Sequence, residues 1–161
     1  MVILLWAGIH ALLGSIWLLL ESALGLHEQY YTVADIVVLV AIPALCAIGA
    51  AVHERLRTQG TFPFGLALRT ALGTLALGTV VMAGLWILLT LQVIPGFTDM
   101  IGERARMQSE ALGHPPQQVI LNMAVALQLY TFPGVLFFTL VVPLLSGSVA
   151  SIVACLGIRR R

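Results

Sequence analysis

The chain has 161 residues, of which 60% are hydrophobic and 9% charged, and its mean hydropathy is +1.02. Eight basic and seven acidic side chains cannot coat a globule of this size without leaving large apolar patches in water. That excludes an ordinary water-soluble domain and a disordered chain, and a formal charge of +1 excludes a nucleic-acid binder.

What remains is an all-α integral membrane protein, a polytopic transmembrane helical bundle. A spanning helix needs about 20 apolar residues, because a core about 30 Å thick is crossed at about 1.5 Å per residue. Residues 2–20 carry no charge and form the first candidate. The stretch lacks a basic start and ends at Glu21 with no small-x-small site, so it is expected to stay as a span rather than leave as a signal peptide. His10 sits midway along it, on the helical face that also holds Trp6, Gly14, Trp17 and Glu21. An ionisable residue at that depth is a candidate functional residue. A neutral imidazole could ligate a haem iron or the magnesium of a chlorin, with Gly14 leaving room for a flat ring. The plainer reading is a hydrogen bond to a neighbouring helix, since such ligands normally need a partner or an oriented outer shell. No cofactor is predicted outright.

Residues 33–52 form the second span, with Pro43 inside. Thr32 and Asp35 in front of the apolar run read as a capping box, and an ion or proton site at the membrane edge is the alternative. Tyr30 and Tyr31 suit an interface. The third span, 66–92, is dense in small residues. Ala67, Ala71, Thr74 and Gly78 form one row, and Gly73, Ala76, Val80 and Gly84 an adjacent one. Such rows let helix backbones approach closely, and two rows leave one face for a second packing partner.

Residues 98–112 read as an amphipathic helix at the periplasmic surface, capped by Thr98 and stopped by Gly113 and Pro115. Its apolar residues, among them Ile101, Ala105 and Met107, can rest on the bilayer or dock a partner. From Gln117 to Ile158 there is no charge, and one helix of that length would measure about 63 Å. Pro133 is the expected break. The upstream piece, 116–131, carries Gln117, Gln118, Asn122 and Gln128, so it reads as interfacial, with a fifth span as the alternative. Residues 134–158 form the fourth span, where Gly147, Ser151 and Cys155 recur every four residues.

Every basic residue is Arg. Four spans put Arg55, Arg57, Arg69 and the terminal Arg159, Arg160 and Arg161 on one side, with Arg104 and Arg106 on the other. The positive-inside rule then places both termini in the cytoplasm of a multi-pass protein of the bacterial inner membrane. Cys46 and Cys155 read as buried thiols rather than a disulfide. No metal motif, phosphate loop or catalytic set stands in the sequence, so an enzyme is not expected.

The segment Gly60-Thr61-Phe62-Pro63-Phe64-Gly65-Leu66-Ala67 resembles the entry into the third span of an uncharacterised family of bacterial four-helix membrane proteins, a domain of unknown function. Ile94-Pro95, Thr131-Phe132-Pro133, Gly147 and the basic C-terminus are similar to the same pattern. An abundance of Ala and Leu and the lack of Lys depart from it. The resemblance implies the four-span topology and no activity.

Three functions fit this reading. The first is a non-enzymatic accessory subunit whose partners are the lipid bilayer and other membrane subunits. The second is a small carrier or channel, favoured by Pro43, Pro143, Gln92 and Gln128, against which no inverted repeat is visible. The third is a subunit of a pigment or electron-transfer complex with His10 near a cofactor.

Overall fold

A computed structural model describes residues 1–24, 33–94, 96–129 and 131–158. The expectations for Thr32, and with it the capping box, for Tyr30 and Tyr31, and for the terminal arginines lie outside the described residues, whereas Asp35 falls in the first turn of a helix. The described chain forms six α-helices: α1 (Val2–Ala23), α2 (Val33–Arg57), α3 (Phe64–Leu88), α4 (Phe97–Ala111), α5 (Pro116–Leu129) and α6 (Phe132–Ile158). One π-helical turn, Leu89–Val93, continues α3. The architecture is an all-α helical bundle.

Four of these helices, α1, α2, α3 and α6, are long and apolar enough to cross a membrane. α5 has 14 residues and so reaches about 21 Å, short of a bilayer core about 30 Å thick. It is therefore not a straight fifth span.

α2 and α3 form the centre of the bundle. Each touches the other, and α1 and α6 flank the pair. Trp6 near the start of α1 meets His53 near the end of α2, so those two helices run antiparallel. Gly73 meets Ile3, Gly78 meets His10 and Gly14 meets Met82, so α1 and α3 run parallel. The core divides into two clusters. One, at the end carrying Arg55, Arg57 and Arg69, joins Ala47, Ala51, Phe62, Ala67, Ala71, Leu75 and Cys155. The other joins Ala11, Leu18, Leu39, Met82 and Trp86 to Phe97, Ile101, Ala105 and Ala126 of the α4–α5 hairpin.

That second cluster revises the surface-helix expectation for α4. Its buried residues are Phe97, Ile101, Gly102, Ala105 and Ser109, and they pack against the bundle and α5, whereas Met107 is exposed. The face that could have rested on lipid is thus used within the chain. Its start also differs. Gly96 occupies the N-cap with a left-handed backbone, φ 67°, no side chain caps the helix, and Thr98 lies inside it. At the other end Gly113, φ 73°, donates to the Glu110 carbonyl at 2.9 Å and His114 to the Ser109 carbonyl at 3.1 Å. This is a Schellman stop, which needs a left-handed residue that glycine adopts without strain.

Candidate functional site in the helix seams and the outer hairpin

Small residues let the four long helices approach, and large side chains of the same chain fill the gaps they leave. Trp6 covers Gly49 with its ring and donates from Nε1 to His53 Nδ1 at 3.1 Å. Met82 reaches Gly14, and Leu75 occupies the notch at Gly147. His10 is fully buried with its imidazole directly over Gly78. In each case a single methyl group added at the glycine would collide with the filling side chain.

The first row on α3, Ala67, Ala71, Thr74 and Gly78, is buried throughout. On α6 the buried positions Val135, Thr139, Pro143, Gly147, Ser151 and Cys155 recur every four residues, and Ile158 is buried at the helix end. A row at i±4n is a ridge that can seat against a neighbouring helix. The other row on α3 divides. Gly73 contacts Ile3, while Ala76, Val80 and Gly84 face outward.

The room expected beside Gly14 for a flat ring is taken by Met82, because α1 and α3 are in contact there. Trp86 adds a hydrogen bond from Nε1 to the Gly14 carbonyl at 3.1 Å. His10 has neither ring nitrogen within hydrogen-bond distance of any described group, and the same holds for the buried hydroxyls of Thr74, Thr79 and Ser151. Other helical hydroxyls in the bundle, such as those of Thr70, Thr90 and Thr139, donate back to the carbonyl four residues earlier. Glu21, read in the sequence as the end of the first span, is fully buried within α1. Cys46 and Cys155 are both buried and unbridged.

The hairpin of α4 and α5 holds a polar set that sequence spacing did not reveal. Gln118 Nε2 donates to Asn122 Oδ1 at 2.8 Å, and Asn122 Nδ2 donates to Ser109 Oγ at 2.9 Å. Ser109 Oγ lies 2.9 Å from His114 Nδ1. Asn122 Nδ2 also lies 3.4 Å from the same ring nitrogen, so the three side chains of Ser109, His114 and Asn122 meet at one point. Ser109, His114 and Asn122 line one end of a cleft of about 340 Å³, and Leu112, Val125 and Leu129 line its apolar part. The signal for this cleft lies in tertiary pairing: Ser109 and Asn122 are 13 residues apart and on different helices.

On the exposed side of α4, Arg106 donates from Nε to Glu103 at 2.9 Å and from Nη1 to both oxygens of Glu110, at 2.7 and 2.9 Å. Its Nη2 also bonds Glu103. The hydrogen bond from Arg106, with its charge, holds the Glu103 carboxyl below its ordinary value, and the two carboxylates raise the guanidinium.

A model of a family described as a protein of unknown function, DUF4199, matches residues 5–156. The chain belongs to that family. No curated protein and no solved structure matches it. Family membership covers nearly the whole chain and fits the four apolar helices. It brings no activity with it.

Proposed function

We propose that this DUF4199 protein is a non-enzymatic accessory subunit that packs within a larger complex of the bacterial inner membrane. The observation that carries this reading is the self-filling of the bundle. Gly14, Gly49, Gly78 and Gly147 each open a notch, and Met82, Trp6, His10 and Leu75 close them. Close-packed helices with filled seams make a scaffold, whereas a carrier or channel is built around a path or a midplane site. The outward row of Ala76, Val80 and Gly84 on α3 is a face of the kind that lets a partner helix approach.

In this reading the arginine-bearing end of the bundle and both termini face the cytoplasm, and the α4–α5 hairpin faces the periplasm. Ligation of a haem or chlorin by His10 would require α1 and α3 to separate, because the ring is fully buried over Gly78. In this reading His10 packs the seam between α1 and α3. Native electrophoresis of membranes solubilised in a mild detergent tests the accessory role. The subunit reading predicts migration together with other membrane proteins; a monodisperse lone monomer from native membranes would overturn it.

A further inference from the structure

Trp6 and Trp86 each make a hydrogen bond that ties α1 to a neighbour, and the two bonds differ in one respect. Trp86 on α3 donates to the Gly14 carbonyl, which takes up no proton in the ordinary pH range. Trp6 donates to Nδ1 of His53 on α2, and an imidazole nitrogen does. An indole N–H can only donate, so Nδ1 is the acceptor and carries no proton while the bond stands. The opposite ring orientation would set a carbon against the indole N–H and forfeit the bond.

The seat of Trp6 depends on this face of α2. Its ring covers Gly49, one turn before His53, and meets the imidazole edge-on with centroids 6.5 Å apart. His53 is partly exposed and stands one turn from the end of α2, so a proton has a route to it from that end. Among the described residues, the other titratable groups on α2 here are Cys46, Glu54, Arg55 and Arg57. The packed neighbours bring the amino terminus and His10 on α1, Arg69 on α3 and the Cys155 thiol on α6. The nearest acid, Glu54, follows His53 directly and so does not share its helix face. Nothing acidic on α1, α3 or α6 at this end offsets a charged imidazole in the seam. Protonation would set one N–H against another, next to a set of cations. On the other side α1 is held to α3 by Ile3 at Gly73, His10 at Gly78 and Met82 at Gly14, contacts that do not involve His53.

We propose that Trp6 and His53 form a proton-sensitive latch: when His53 takes a proton, the start of α1 releases from α2 while its seam with α3 stays closed. The bond is present while the ring is neutral and is lost as pH falls through the titration of His53. The latch needs no second protein and so stands apart from the accessory-subunit reading.

Nuclear magnetic resonance of the full chain in phosphatidylcholine nanodiscs, with labelled Trp and His, tests it from about pH 8 to 5, the span in which histidine charge ordinarily changes. The indole N–H that disappears in Trp6→Phe should shift upfield with the same midpoint as the His53 ring. The Trp86 N–H should hold its position and report that the bundle is intact. His53→Gln should remove the pH dependence of the Trp6 signal, because an amide oxygen accepts but does not titrate. Amide exchange in residues 2–9, corrected for intrinsic rates, should quicken at least about threefold at the acid end in the wild type and not in His53→Gln. A Trp6 signal that stays fixed over that span, that moves equally in His53→Gln, or that moves only together with Trp86 would overturn the proposal. So would a Trp6 shift with no change in exchange.

Discussion

The imidazole of His10 on α1 lies over the bare Cα of Gly78 on α3, so closely that a methyl group there would overlap Nδ1. The contact explains why a histidine and a glycine occupy these depths without invoking a ligand. The ring fills the notch, and the notch lets the helices meet. Gly78→Val should therefore push α1 from α3 and lower stability by about 1–3 kcal/mol, the usual cost of overpacking a close interface. Denaturation of the purified protein in mixed micelles would measure it. An unchanged midpoint would mean that the two helices do not meet there.

Trp6 and His53 make a second seam, between α1 and α2, through a hydrogen bond of 3.1 Å and an edge-to-face ring contact at 6.5 Å. Interhelical hydrogen bonds in membranes contribute about 0.6–2 kcal/mol. A double-mutant cycle of Trp6→Phe and His53→Leu should give a coupling energy in that range. Additive single effects would show that the bond contributes nothing.

Leu75 is buried in the Gly147 notch between α3 and α6. Leu75→Ala should cost about 2–5 kcal/mol, because it removes apolar contact and leaves a cavity. Adding Gly147→Ala to that variant should recover part of the loss, while Gly147→Ala alone should destabilise. The sign reversal between backgrounds, read from the same denaturation curves, is the signature of a filled notch.

The ion pairs of Arg106 with Glu103 and Glu110 should make the outer turns of α4 sensitive to acid. Glu103 has its folded value lowered, chiefly by the hydrogen bond from Arg106. Its contribution is therefore complete above the ordinary carboxylate range and is lost as pH falls through the depressed value. Both partners are exposed, so the effect is local and screened by salt. Amide exchange in α4, corrected for intrinsic rates, should quicken as Glu103 protonates. In Arg106→Gln that acid dependence should be lost.

The four helices long and apolar enough to cross a membrane are readable from the sequence because each is a long apolar run. The first small-residue row on α3 is readable for a related reason, since spacing alone fixes which residues share a helix face. Pairings between helices are another matter. Nothing local to His10 names Gly78 as its neighbour, and nothing local to Gly14 reserves its space for Met82. Gly96 caps α4 through backbone conformation rather than a side chain, so a search for capping side chains points to Thr98 instead. The polar residues of 116–131 point to an interfacial position. In the folded chain Gln118 donates to Asn122 and Asn122 to Ser109, while Gln117 and Gln128 are exposed.

The subunit reading rests finally on which exposed face meets protein and which meets lipid. Val80 on α3, 60% exposed, stands between Ala76 and Gly84, and Val149 on α6, 65% exposed, belongs to that helix's outward side. A photo-cross-linking amino acid placed at each position in living cells compares them directly. The account predicts protein-sized adducts from position 80 and lipid adducts from position 149; lipid adducts alone at both positions would contradict it.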